Sequence, residues 1–252
     1  VKIFSLILTI ALLGCLSFSS PSLEAFERQK LDNRRYSISK PYSRPANGYR
    51  LLLFLHGQGG NEHQADRLLG EYGPEHGYIV LGPAATKDTW GSSGADPKFV
   101  HKLIRKIQEE YDIPREKTIL VGHSAGGMAS YFYVLPYPET IGAFCSVNGF
   151  MPTVFLPQLV RSTKMNLLLI NGENDYNLKT ISGGSKYLRN QGYLVHQAIV
   201  KDAGHGYLKD KYNSIIINWF EGRIAAAEAS AAEESEEKAL LNSNGDSKIS
   251  EF

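Results

Sequence analysis

The apolar residues of this chain gather in short, nearly unbroken runs: YRLLLFLH (49–56), YIVLGP (78–83), KTILVGH (117–123), IGAFCSV (141–147) and MNLLLING (165–172). A strand with one wet face alternates apolar and polar residues. A run that is apolar at nearly every position belongs to a strand covered on both faces. Two further strand-like runs, RRYSIS (34–39) and VHQAIV (195–200), bracket this set. Helix-like segments lie between them. In DPKFVHKLIRKIQEEYDI (96–113) the residues Phe99, Leu103, Ile107 and Tyr111 recur at a three-to-four spacing, which makes one apolar stripe. Asp96-Pro97 supplies an N-cap and a first helical position. More helices are expected after Ser124, around Pro152, near Leu178 and near Asp210. Strands alternating with helices give an α/β class: a mostly parallel sheet with helices on both faces. The stretch from Val147 to Met165 is too short to hold a large cap domain.

The ends of the chain read differently. VKIFSLILTIALLGCLSFSS has one lysine, an apolar run and then small polar residues, the pattern of a secretory signal. Its apolar run falls short of the roughly 20 residues that a membrane span prefers. Residues 1–25 are therefore expected to be a signal peptide, and the protein to be secreted, periplasmic or a cell-surface lipoprotein. LLGC (12–15) resembles a lipoprotein cleavage site, which would make Cys15 a lipid anchor. Cleavage after Ala25 would remove that cysteine instead. Cys145, the other of the two cysteines, lies in an apolar run and reads as an inert buried thiol. Residues 26–222 would form the main folded domain. Residues 223–252 begin RIAAAEASAAEESEEKAL, an Ala/Glu-rich helical tail with no stripe wide enough to bury. The charge of +1, from 27 basic and 26 acidic residues with no basic cluster, argues against nucleic-acid binding.

GHSAGG (122–127) joins a strand-like run to a helix-like one. It matches G-x-S-x-G, a sharp strand-to-helix turn that presents a serine hydroxyl at the carboxyl end of a sheet. A hydroxyl is a poor nucleophile until a base takes its proton. Of seven histidines, His205 in DAGHGY follows the last strand-like run, so it reaches the same sheet edge as Ser124. His56 and His123 sit inside strand-end motifs and read as loop-shaping residues. The histidine in turn needs a carboxylate to hold its tautomer. Asp175 in INGENDYN is the leading candidate, with Glu173 and Asp202 as competitors. Donors for an oxyanion are expected from the amide of Ala125 and from Gln58, in the glycine-rich HGQGG loop that follows LLLFL. Neither G-x-G-x-x-G nor a lysine-bearing phosphate loop is present, which argues against a nucleotide site.

HGQGG, GHSAGG, NGENDYN and AGHGY, in that order, resemble the α/β-hydrolase superfamily, whose triad runs Ser…Asp…His. The resemblance covers about residues 34–222. Its short form is similar to secreted polyhydroxybutyrate-depolymerase-like and feruloyl-esterase-like serine esterases. Carried over by position, it implies Ser124 as nucleophile, Asp175 as acid, His205 as base and the Gln58 and Ala125 amides as oxyanion hole. Asn171 stands where many relatives have a histidine. The implied chemistry needs no cofactor or metal, and the implied substrate is a small-molecule or polymer-linked ester. Trp90, Phe150 and Tyr176, with Phe155, are candidate substrate-binding aromatics at the rim. A serine peptidase of the prolyl-oligopeptidase kind, or a non-catalytic surface binding protein on the same fold, are the alternatives. Asn242, Asn244, Asp246 and Ile249 match part of an EF-hand loop. Ser247 replaces its turn glycine and the closing glutamate is missing, so calcium binding is not expected there.

Overall fold

The computed structural model describes residues 27–91, 94–134, 137–151 and 165–246, with side chains to residue 230. The elements are β1 (Glu27–Leu31), β2 (Arg34–Ser39), β3 (Arg50–Leu55), α1 (His63–Leu69), α2 (Tyr72–Glu75), β4 (Tyr78–Pro83), α3 (Ala95–Tyr111), β5 (Thr118–His123), α4 (Ala125–Val134), β6 (Ala143–Val147), β7 (Asn166–Gly172), α5 (Leu178–Asn190), β8 (Leu194–Val200) and α6 (Lys209–Asp246). The eight strands form one sheet in the order β1-β2-β4-β3-β5-β6-β7-β8. β1 and β2 are antiparallel to their neighbours, and β4, β3 and β5 to β8 run parallel. Every strand-like run named above is one of β2 to β8.

The unbroken apolar runs are explained by two separate core layers. On one face Leu51, Leu53, Leu55, Leu120, Phe144, Leu167 and Leu169 meet α3, α4 and α5. On the other Leu52, Phe54, Val121, Cys145, Leu168 and Ile170 meet α1 and the first turns of α6. Successive strand residues point to opposite faces, so each strand needs an apolar residue at every position. Fully burying one such side chain contributes about 1.5–3 kcal/mol, which fixes the register of the central strands. Among the described residues no cap domain interrupts this frame.

Three features depart from the sequence pattern. β1 was not legible, because ERQKL is polar and lies at the sheet edge, where a strand need not be buried. It is joined to β2 by Asp32 and Asn33, whose φ values of 48° and 63° make a two-residue hairpin turn. Asp96 is not a helix cap. α3 starts at Ala95 behind Gly94, without a side-chain cap. The buried Asp96 carboxylate instead accepts from Arg34 (2.6 Å), from the amides of Thr86 (3.1 Å) and Gly91 (2.8 Å), and from the Thr86 hydroxyl, tying down the 84–91 loop. α6 runs through Gly222 without a break, and Ile224 still belongs to the core. From residue 225 to 230 every side chain is exposed, although Glu228 pairs with Lys117 at 2.8 Å. Asn242, Asn244 and Asp246 lie on this helix. The helix expected around Pro152, Phe155, residues 1–26 with Cys15, and Ser247 and Ile249 fall outside the described residues.

Candidate active site

β5 ends at His123 and α4 begins at Ala125, so the chain reverses on Ser124 alone. Its φ is 54°, a left-handed conformation that costs a non-glycine residue on the order of 1–3 kcal/mol. Two bonds hold it there: Ser124 N–H donates to Val147 O (2.9 Å), and Ser124 O accepts from Met128 N–H (3.0 Å). The turn also demands close approach. A Cβ on Gly126 would run into the Leu55 carbonyl, and one on Gly122 into the Gly126 carbonyl. This is why glycines flank the serine.

The sharp turn brings Ser124 Oγ to 2.8 Å from His205 Nε2, and His205 Nδ1 lies 3.0 Å from Asp175 Oδ2. The carboxylate can only accept, so Nδ1 carries the proton and the Nε2 lone pair faces the serine O–H. That is the tautomer a general base requires. The Asp175 side chain is fully shielded from solvent, and its other oxygen accepts from Asn177 N–H (2.6 Å). The His205 side chain keeps 26% of its surface in contact with solvent, open to a reactant. The competing carboxylates are placed elsewhere. Glu173 accepts from the Asp202 amide (3.1 Å), and Asp202 sits exposed in a left-handed turn with φ 59°.

The HGQGG loop lies against this turn. A Cβ on Gly57 would sit 3.6 Å from Ser124 Cβ, so the start of the loop packs on the serine turn. Gly60 N–H donates to Gly57 O (3.0 Å) across a tight turn whose third residue, Gly59, has φ +71°. The loop is anchored from three directions: Gly59 N–H to Asp88 O (2.8 Å), Gly57 N–H to Gln64 Oε1 (3.0 Å), and the indole N–H of Trp90 to His56 O (2.7 Å). His56 Nδ1–H donates to Gly57 O (2.8 Å), and its Nε2 accepts from Ala85 N–H (3.3 Å). Among the described residues no backbone carbonyl is recorded as taking up the amides of Gln58 or Ala125. The latter also opens α4, where the helix dipole favours negative charge.

The aromatics divide. Trp90, expected at the rim, is 5% exposed and packs on His56 (4.6 Å between rings), supporting the loop rather than offering a face to substrate. Phe150 and Tyr176 are exposed, and the Tyr176 ring stacks on the His205 imidazole at 4.3 Å and 24°.

Asn148 was not identified from the sequence. It is fully buried just after β6, with φ 51°. Its Oδ1 accepts from Gly172 N–H (2.9 Å), and its Nδ2 faces the carbonyls of Gly204 (3.3 Å), His205 (3.0 Å) and Gly206 (3.2 Å). One side chain therefore pins the histidine loop to the end of the strand that carries Asp175. The Asn-Gly pair in SVNGF was the available signal, since asparagine tolerates positive φ. His123 helps by donating from Nε2 to His205 O (3.1 Å). Burial holds His123 and His56 below the usual imidazole range, so both stay neutral. Burial likewise pushes the Cys145 thiol up, which leaves it unreactive. Among the described residues no three His, Cys, Asp or Glu side chains group as a metal site would.

No protein-family model matches the chain. A bifunctional acetylxylan esterase/xylanase of Neocallimastix patriciarum is 27% identical over 187 residues, covering 71% of this chain. The chain spans only 27% of that relative's length. Among solved structures, a fluorophosphonate-binding serine hydrolase of Staphylococcus aureus superposes with a TM-score of 0.65 at 12% identity, covering 79% of this chain and 97% of that one. A ferulic acid esterase superposes with a TM-score of 0.61 at 15% identity, covering 80% and 97%. The α/β-hydrolase fold expected from the sequence is the fold of this chain.

Proposed function

We propose that this α/β-hydrolase chain is an exported serine carboxylic ester hydrolase working through an acyl-enzyme. The observation that carries the proposal is the unbroken relay from Ser124 Oγ through His205 to the buried Asp175 carboxylate. In this reading Ser124 attacks the ester carbonyl while His205 Nε2 takes its proton. Asp175 holds the imidazole and stabilises the imidazolium. The Gln58 and Ala125 amides bind the oxyanion of the tetrahedral intermediate. His205 then protonates the departing alcohol. In the second half His205 activates water, which hydrolyses the acyl-serine and restores the free hydroxyl.

Bulky or polymer-linked esters are the proposed substrates. Exposed Phe150 and Tyr176 support this, as do the names of an acetylxylan esterase and a ferulic acid esterase among the similar proteins. Export rests on the apolar N-terminal run alone. Hydrolysis of acetyl, butyryl, feruloyl and polyhydroxyalkanoate esters is the test, with Ser124→Ala beside the wild type. We expect turnover of at least one class by the wild type, and loss of it in a variant that melts normally. Equal turnover by Ser124→Ala would refute the assignment. Turnover of peptides alone would favour a peptidase.

A further inference from the structure

Tyr176 is the most exposed large hydrophobic side chain among the described residues, at 72%, yet one face of its ring lies against the His205 imidazole. Core packing does not put it there. The backbone on either side of it is fixed: Asp175 N–H donates to Gly172 O (3.1 Å), Asn177 N–H to Asp175 Oδ1 (2.6 Å), and Asn177 Nδ2 to Asn148 O (3.0 Å). The turn that aims the Asp175 carboxylate at one edge of His205 thus also lays an aromatic face over the ring. Resting on the triad reading above, we propose that Tyr176 is a positioning residue of the reaction, whose π-face stabilises the imidazolium form of His205.

The physics favours the charged ring. An aromatic face is negative, and a cation within about 6 Å of its centroid is attracted to it. The near-parallel stack at 4.3 Å satisfies that distance. The ring also keeps water from one face of the imidazole, which strengthens its pairing with Asp175. Among the described residues the groups facing His205 are few. Asp175 is on Nδ1 and Ser124 on Nε2. His123, 5.8 Å away between rings, is kept neutral by burial. Tyr176 covers the face. The imidazolium is the form present when the tetrahedral intermediate exists, so the contact acts on kcat.

The test uses Tyr176→Ala and Tyr176→Phe. His205 is titrated by its imidazole NMR signal, assigned by its absence in His205→Gln, so the readout needs no turnover. Cation–π contacts at exposed sites convert to a shift of about half a pKa unit. Tyr176→Ala should lower the His205 pKa by that amount, and Tyr176→Phe should leave it within about 0.2 unit. On p-nitrophenyl acetate the acid limb of kcat/KM should move down by the same amount. kcat should fall about threefold while KM stays within twofold. An unchanged or raised His205 pKa in Tyr176→Ala overturns the proposal, as does a change confined to KM on larger esters. A wild type that hydrolyses no ester would defeat the esterase reading instead, and the NMR titration would still decide this one.

Discussion

Asn148→Asp changes one terminal group at nearly constant shape. The wild-type amide uses two N–H donors on three carbonyls at 3.0–3.3 Å, while its oxygen receives Gly172 N–H. Aspartate keeps the acceptor and loses the donors. Two buried hydrogen bonds go, at about 1 kcal/mol each. A carboxylate oxygen then faces three carbonyl oxygens inside the protein, and the site must protonate it or distort, so the total is about 3 kcal/mol. For a domain of this size that lowers Tm by roughly 6–12 °C. The activity effect follows from what remains on His205 O, a single bond from His123 at 3.1 Å. The loop is free to drift, and a shift of about 1 Å at a reacting group costs on the order of 100-fold. We expect kcat on p-nitrophenyl acetate to fall at least tenfold with KM within threefold, because the acyl site is untouched. Thermal melting and steady-state kinetics on the purified variant measure both. Wild-type Tm and kcat in Asn148→Asp would show that the clamp does not hold the histidine, and the reasoning would fail.

Three other outcomes are expected. Gly126→Ala should not give a soluble, folded protein, because its Cβ meets the Leu55 backbone, whereas Gly204→Ala, with open space around it, should express like the wild type; recovery of soluble protein and its melting curve compare them. Trp90→Phe keeps an aromatic ring, though a smaller one, and orphans the buried His56 carbonyl, so it should lose at least about 1 kcal/mol in urea denaturation and reduce kcat rather than KM. Burial lowers the pKa of His56 and His123 in the folded state, so the unfolded chain takes up protons first as pH falls through about 6.5. Stability should be full above that pH and drop as pH falls below it, and His123→Gln, which retains a donor for His205 O, should flatten the drop in denaturation midpoints.

The sheet was readable because burial on both faces writes itself into every position of a strand, as in LLLFL. The GHSAGG turn was readable because its geometry tolerates few residues. His205 and Asp175 lay where strand ends put them, within reach of Ser124, and the three carboxylates near His205 separated only once the turns after β7 and β8 were seen. What escaped was set by other forces. β1 is polar and held by backbone pairing at an edge, so hydropathy does not mark it. Asp96 looked like a cap because Asp-Pro usually is one, but a half-buried arginine and three loop donors outweigh a single helix terminus. Trp90 was placed by sequence order near the rim, and only the direction of its ring shows that it faces inward. Asn148 acts on residues more than 50 positions away, a relation that local pattern does not carry.

Reaction of the native protein with a fluorophosphonate probe, located by peptide mass, tests the central claim most directly. An activated Ser124 predicts one adduct on the peptide carrying GHSAGG, none in Ser124→Ala and little in His205→Gln. A wild-type protein left unlabelled, or a variant lacking the hydroxyl that is labelled equally, would contradict it.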